Sequence, residues 1–107
     1  MARNVCVAIL DDGGHLLHLA RMDGATPANA RIAVEKGRTA AETRRSTANW
    51  QERVAKRIEL LRMPEVTPVQ GGVPIVFDGT CVGAVGVSGV QSHEDEQIAA
   101  AGIKALG

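Results

Sequence analysis

Aromatic side chains are scarce in this chain of 107 residues, which contains one tryptophan, one phenylalanine and no tyrosine. The core must therefore be built from aliphatic side chains. The scarcity also excludes a row of aromatic rings that stacks on the bases of a single-stranded nucleic acid.

The net charge of the chain is zero, because twelve basic residues balance twelve acidic ones. Nucleic acid is consequently the least expected class of partner, since domains that bind it are usually basic.

Signals for export and for membrane insertion are missing as well. The first residues, MARNVCVAIL, form a β-like run that is too short and begins too early for a signal peptide. The two cysteines, Cys6 and Cys81, fall in predicted strands, and we interpret them as small buried hydrophobic residues rather than as a disulfide. We therefore predict a cytoplasmic protein with no membrane partner.

Motifs with a fixed catalytic spacing are also lacking. The histidines and cysteines do not have the spacing of a zinc site, so no metal site is predicted from spacing. The glycine-rich segments lack the following lysine and hydroxyl residue of a phosphate-binding loop. What remains is ordinary globular composition, 45% hydrophobic and 22% charged, which predicts a single domain over residues 1–107.

The most informative stretch is residues 71–89, GGVPIVFDGTCVGAVGVSG. Asp78-Gly79 between two apolar runs predicts a β-hairpin, because a type I′ turn needs positive φ at both central residues. Gly83 and Gly86 lie inside the second strand, where glycine marks a bulge or a close approach of backbones. The flanking pairs, Gly71-Gly72 and Ser88-Gly89, should meet at the open end of this hairpin. Two interpretations stand side by side: glycines that only end strands and permit close packing, or a ligand site lined by backbone.

The rest of the chain supplies a second hairpin and three helices. Thr26-Pro27 has the capping hydroxyl and first-turn proline of a helix start. A second helix is predicted from an apolar face with spacing i, i+4, i+8, i+11, and a third from a cap at Ser92 followed by three acidic residues. Pro64 and Pro68 are expected to end the second helix, and the third helix is expected to have a buried apolar stripe. The predicted segments are strands Asn4–Leu10 and His15–Met22, a helix from Pro27 to about Thr43, a helix Ala48–Leu61 with face Trp50, Val54, Ile58 and Leu61, a short edge strand Val66–Gln70, the hairpin, and a last helix with stripe Ile98, Ala99, Gly102, Ile103 and Leu106.

Hairpins at both ends of the chain predict an α+β domain, with an antiparallel sheet of four or five strands flanked by helices. The first strand is apolar on both faces, so it should be central and covered on both sides. Residues 31–62 hold nine basic and four acidic residues. This excess indicates a solvated helix face, or else a surface for a small anionic ligand or an acidic subunit.

Four blocks in this order and spacing resemble the GlcG/HbpS family of heme-binding-like proteins, and the C-terminal domain of PduO-type corrinoid adenosyltransferases is similar. The blocks are VAILDDGGHLLHLARMDGA, AVEKGRTAA, QGGVPIVFDGTCVGAVGVSG and DEQIAAAG. The resemblance implies a profilin-like fold, assembly into a homo-oligomer, and binding of heme or a related tetrapyrrole. The sequence departs from the family in residues 44–65, which are unusually charged. It also departs at the N-terminus, where we expect no counterpart of the family's first helix and where a partner could cover the exposed sheet face. The family's shared positions fall on Gly14, His15, Arg21, Asp23, Gly24, Lys36, Thr39, Ala40, Gly71, Gly72, Pro74, Gly83, Gly86, Ser88, Gly89, Asp95 and Glu96.

The site predicted on this basis lies at the open end of the glycine-rich hairpin. Heme needs an axial ligand, and three histidines are available, although a surface or core-edge histidine is the commoner interpretation of each. The alternative is an enzyme of a catabolic pathway, a lyase or isomerase acting on a small carboxylate held by Arg21 or Lys36, with the N–H groups of Gly72 and Gly89 stabilising developing negative charge. A structural subunit is the third interpretation. The candidates are Arg21, Lys36, Thr39, Gly71, Gly72, Ser88 and Gly89 for ligand binding, His15, His18 and His93 for heme iron, and His15, Asp23 and Glu94 for catalysis.

Overall fold

The computed structural model describes residues 4–63 and 66–105. Pro64 and Leu106, to which the sequence assigned a helix end and a place in a buried stripe, lie outside the described residues. The elements are β1 Cys6–Asp11, β2 Leu16–Arg21, α1 Pro27–Thr43, α2 Thr47–Lys56, a 3-10 helix Ile58–Arg62, β3 Gly72–Phe77, β4 Thr80–Ser88 and α3 Ser92–Ala105.

The strands form one antiparallel sheet in the order β2-β1-β4-β3. The predicted α+β class is confirmed, with four strands, and β1 is central as expected. The predicted strand Val66–Gln70 is wrong, since none of these residues is in a strand. Its backbone is partly satisfied by side chains instead: Thr67 N donates to Thr39 Oγ1 at 3.0 Å, and Gln70 N donates to Gln51 Oε1 at 2.9 Å.

Both hairpin turns lie at the same end of the sheet, because β1 and β4 run antiparallel with Asp11 opposite Gly83. We call this the turn end, residues 11–16 and 77–83. The open end is the opposite one, residues 4–6, 21–24, 71–72 and 87–90. Asp78 and Gly79 have φ of 50° and 75°, in agreement with the predicted type I′ turn.

Helix α1 lies unusually close to the sheet. Its start is as predicted, with Thr26 Oγ1 accepting from Asn29 N at 3.2 Å. A Cβ on Gly86 would overlap the carbonyl oxygen of Ala33 and lie 2.6 Å from Gly37 N. Glycine at this position of β4 is therefore a requirement of helix–sheet packing.

Helix α2 is shorter than predicted. It ends at Lys56, and Ile58–Arg62 continue as a 3-10 helix, so the expectation of one helix to Leu61 is wrong. Trp50 is anchored, with its indole Nε1 donating to Thr43 Oγ1 at 2.9 Å. The change from 3.6 to 3 residues per turn breaks the predicted apolar face, and Ile58 is 74% exposed.

The second face of the sheet is covered only in part. Helix α3 packs there through Ala99 against Val85 and Val87. Gly102 is exposed, so the predicted buried stripe of this helix is wrong at that position. Val7 of β1 is only half-buried, and all six residues of β2 are exposed. The expected cover on both sides of β1 is therefore complete only on the α1 side.

Candidate functional site

Lys36 is the largest departure from the predicted site. The sequence placed it at the edge of helix and sheet, available to a ligand. In the structure its side chain is 2% exposed, and Nζ lies 3.1 Å from Asp95 Oδ2 and 3.0 Å from the carbonyl oxygen of Val87. The ammonium thus holds the chain's own carboxylate. The hypothesis that Lys36 holds a ligand carboxylate stays a prediction, and binding would require this buried pair to separate.

Asp95 is the residue that sequence reasoning missed. It was expected only to favour the start of α3. Its Oδ1 also accepts from the backbone N–H of Val90 at 3.1 Å, so one carboxylate joins α3, α1 and the loop after β4. Neither Lys36 nor Asp95 lies on the apolar stripe of its helix, so hydrophobic periodicity does not predict that they are buried. Their places among the family's shared positions were the available hint.

Gly72 is committed to the fold in the same way. Its N–H donates to Thr47 Oγ1 at 2.8 Å, and a Cβ there would overlap the carbonyl oxygen of Lys36. The role expected for this N–H, the stabilisation of developing negative charge, stays a prediction, and in this structure the donor is already used by Thr47. Gly71 is similarly engaged, with its carbonyl oxygen accepting from Val87 N at 3.0 Å.

Replacing Thr47 with valine is expected to destabilise the protein by about 1–3 kcal/mol, because the buried N–H of Gly72 loses its acceptor. Thr47 is fully buried, so water cannot easily replace the hydroxyl. Urea unfolding followed by the fluorescence of Trp50 measures the change. Thr47→Ser keeps the acceptor and should cost less than Thr47→Val; equal losses would show that the hydroxyl contributes nothing.

The other predicted open-end residues divide into buried and exposed groups. Thr39 is fully buried, and Ser88 is 5% exposed, with its hydroxyl donating to Asn29 Oδ1 at 3.1 Å. Gly89 has φ of 151°, and a Cβ there would overlap the carbonyl oxygen of Asn4. Arg21 is exposed and in register with Cys6. A ligand-binding role for these residues stays a prediction.

Cys6 lies next to this open end at the start of β1. It is fully buried and has no disulfide partner. Burial raises the pKa of its thiol, and the positive charge of Arg21 offsets part of that effect. A raised pKa keeps the thiol protonated, which agrees with its interpretation as a small buried hydrophobic residue.

His15 occupies a different position, in the turn between β1 and β2. The imidazole is 81% exposed, and Nδ1 lies 3.2 Å from Asp11 Oδ1. The ring also lies against Gly13, where a Cβ would be 3.1 Å from Cε1 and Nδ1. Because a carboxylate only accepts, Nδ1 carries the proton and Nε2 is left as the lone-pair nitrogen of the neutral ring.

Asp11 is itself fixed by the turn. Its Oδ1 accepts from the backbone N–H groups of Gly13 and His15, each at 2.9 Å. The N–H of His15, helped by that of Gly13 and by the imidazole, lowers the pKa of Asp11 below the ordinary aspartate value. The carboxylate is therefore ionised at neutral pH and can orient the imidazole.

The remaining candidates are spread over the surface. His18 is exposed on β2 opposite Ile9, and His93 is exposed at the start of α3. Asp23 is exposed at the open end, and Glu94 is half-buried in the first turn of α3. Over the part of the chain that the structure describes, no three His, Cys, Asp or Glu residues are grouped so as to hold a metal ion. The catalytic roles proposed for His15, Asp23 and Glu94 stay predictions.

Comparison with known proteins connects this fold to characterised families. The model of the family described as "Haem degrading protein HbpS-like" matches residues 1–104. Protein GlcG of Escherichia coli strain K12 is 50% identical over 86 residues, which are 79% of this chain and 64% of GlcG. The chain thus spans less than two thirds of the length of this curated relative.

Solved structures agree with the sequence comparisons. A double mutant of HbpS from Streptomyces reticuli superposes with a TM-score of 0.90 at 35% identity, over 98% of this chain and 73% of that one. The structure described as a PduOC:heme complex superposes with a TM-score of 0.84 at 27% identity, over 94% of this chain and 77% of that one.

The described fold and these matches lead to one conclusion on family. Residues 4–63 and 66–105 contain no helix that is both long and apolar enough to cross a membrane. The family model covers nearly the whole chain, and the fold superposes on proteins solved independently, with TM-scores of 0.90 and 0.84. The chain is a member of the HbpS-like family.

Proposed function

We propose that this chain binds heme or a closely related tetrapyrrole, as a subunit of a homo-oligomer. The observation that carries the proposal is the likeness, over 94% of the chain, to a protein whose structure was solved as a heme complex. The name of the matching family, which refers to heme degradation, points to the same class of ligand.

Features of the surface support binding more than turnover. Heme requires a side chain that can ligate iron and an apolar surface against the porphyrin ring. His15 is exposed with an oriented imidazole, and next to it in sequence Leu16 and Leu17 are 46% and 66% exposed. Two of the open-end residues proposed for the enzyme alternative are instead used in internal contacts, Lys36 with Asp95 and Gly72 with Thr47.

Titration with hemin tests this proposal. We expect a saturable Soret band at micromolar hemin with one site per chain. A linear, non-saturating increase, equal to that given by an unrelated protein of similar size, would contradict the proposal.

A cytoplasmic location stays a prediction, and it would be consistent with a ligand that cells make and use internally.

The exposed apolar surface of edge strand β2 supports self-association. This edge strand has six exposed residues, three of them leucines. Within the described part of the chain no strand pairs with its outer edge, and an unpaired edge can template another chain. The opposite edge strand, β3, contains Pro74, which has no N–H to offer a further strand. We therefore place the contact between copies at β2.

Sedimentation velocity over a wide range of concentrations checks this contact. The wild-type chain should associate, and Leu17→Lys should shift it toward monomer by adding charge to the apolar strand. Ile58→Lys is the matched control, since Ile58 is 74% exposed on the 3-10 helix. A wild-type chain that stays monomeric, or dissociation by the Ile58 variant alone, would contradict the assignment.

A further inference from the structure

The turn between β1 and β2 contains a pair of side chains with the arrangement of a ligand and its supporting carboxylate. We infer that His15 is the axial ligand of the iron in the bound tetrapyrrole, through Nε2, and that Asp11 is the positioning residue that orients its ring. The inference rests on the proposed function and names one of three candidate histidines.

The hydrogen bond of the imidazole is the first feature that supports this role. Histidines that ligate metals almost always donate the other ring N–H to a carboxylate, a carbonyl or a water, which fixes the tautomer and raises the basicity of the ligating nitrogen. His15 has this partner, with Nδ1 3.2 Å from Asp11 Oδ1. The hydrogen bond selects the tautomer in which Nε2 has the free lone pair.

Hydrogen bonds hold the turn that carries the pair. Asp11 Oδ1 is held by the N–H groups of Gly13 and His15 in addition to the imidazole. The turn is tied to the end of α1 as well, because Arg44 Nη1 donates to the carbonyl oxygen of Asp12 at 2.5 Å and to that of Ala41 at 2.9 Å. The imidazole is therefore presented from a fixed turn although it is 81% exposed.

The other two histidines lack such support. His18 and His93 are exposed, and over residues 4–63 and 66–105 neither has a carboxylate within ion-pair distance. A ring without such a partner can adopt either tautomer and more than one orientation. His15 is thus the histidine whose ring is prepared for iron before the ligand arrives.

The surface next to His15 contains exposed apolar side chains. Leu16 and Leu17 directly follow His15 and are exposed. They lie on the edge strand that we assign to the contact between copies. A tetrapyrrole ligated by His15 would then be covered on its second face by another subunit, which removes apolar ring surface from water.

The experiment compares hemin binding by the wild-type chain and its variants, each checked for its fold by circular dichroism. His15→Ala is expected to weaken binding at least tenfold and to lose the spectrum of a histidine-ligated iron. His18→Ala and His93→Ala are the matched controls and should stay within about twofold of wild type. Imidazole added to His15→Gly should restore the ligated spectrum.

Asp11→Asn tests the positioning role. Asparagine can still accept from the two backbone N–H groups, so the turn is kept, but the negative charge behind the imidazole is lost. Affinity should fall, within the roughly 10–100-fold range seen for partners of metal-ligating histidines. The midpoint potential of the bound iron should become more positive, because a less basic imidazole stabilises the ferric state less. A merely structural role would leave that potential unchanged.

The outcomes separate the two proposals. No saturable binding by the wild-type chain would remove the proposed function and this inference together. Saturable wild-type binding that is unchanged in His15→Ala would overturn the inference and leave the proposed function standing. Weakened binding in His15→Ala, with affinity and potential unaltered in Asp11→Asn, would overturn the role of Asp11.

Discussion

Replacing Lys36 with methionine is expected to destabilise the protein by about 3–5 kcal/mol, because the carboxylate of Asp95 remains buried without its counter-ion. Both side chains are 2% exposed, and Nζ and Oδ2 are 3.1 Å apart. A domain of this size is stable by roughly 5–15 kcal/mol in total, so the variant should be near the limit of folding. Urea unfolding followed by the fluorescence of Trp50, the single tryptophan, gives the difference directly.

Two further variants make this result specific. Lys36→Met combined with Asp95→Asn removes both charges while the amide still accepts from Val90, and it should recover most of the lost stability. Arg57→Met breaks an exposed pair, in which Arg57 and Glu59 are 67% and 60% exposed. It should cost far less than the loss of the buried pair, because exposed ion pairs contribute little to stability. Equal losses from the buried and exposed pairs would contradict the assigned role of Lys36.

Replacing Gly86 with alanine is expected to have the second large effect, a loss of about 3 kcal/mol or more. A new Cβ would overlap the carbonyl oxygen of Ala33 and lie 2.6 Å from Gly37 N, so backbone on both sides must move. Overpacking a core usually costs about 1–3 kcal/mol. The cost should be at the upper end here, because the neighbouring atoms belong to a helix backbone and not to a flexible side chain.

Gly102 offers the matched control within the same chain. It lies inside α3, and a Cβ added there would meet no atom within 4 Å beyond its own helix backbone. Gly102→Ala should stabilise the protein by roughly 1 kcal/mol, since glycine is a poor residue in a helix interior. Melting temperatures that fall for Gly86→Ala and rise for Gly102→Ala are the expected pair. A Gly86→Ala variant as stable as wild type would show that α1 is not held at this distance.

The sequence correctly predicted the turn and the helix start that depend on only a few neighbouring residues. Asp78-Gly79 and Thr26-Pro27 act within a few residues, and the structure contains the turn and the helix start that they specify. The amphipathic face of α2 was extended wrongly. Its spacing continues to Leu61 in the sequence, but the backbone leaves α-helical geometry at Arg57, with φ of −139° and ψ of 84°.

The functional site was less accessible to sequence reasoning. The sequence correctly brought Lys36, Gly72 and Ser88 together at the open end. It did not predict that these residues are buried. Their burial depends on how closely α1 approaches the sheet and, for Lys36, on a partner 59 residues away in the chain. The pairing of His15 with Asp11 is local, four residues apart, but a histidine beside a turn gives no periodic signal.

We propose that the ligand binds at the turn end, because Lys36 and Gly72 at the open end are used in internal contacts of the fold. The two ends of β1 are separated by roughly 17 Å, at about 3.3 Å per residue. Paramagnetic broadening of backbone amide signals by substoichiometric hemin, measured by NMR, distinguishes them because the effect decreases steeply with distance. We predict that signals from residues 11–17 broaden while those of Gly72, Gly89 and Val90 stay sharp. Broadening centred on Gly72 and Gly89, with residues 11–17 unaffected, would contradict this placement.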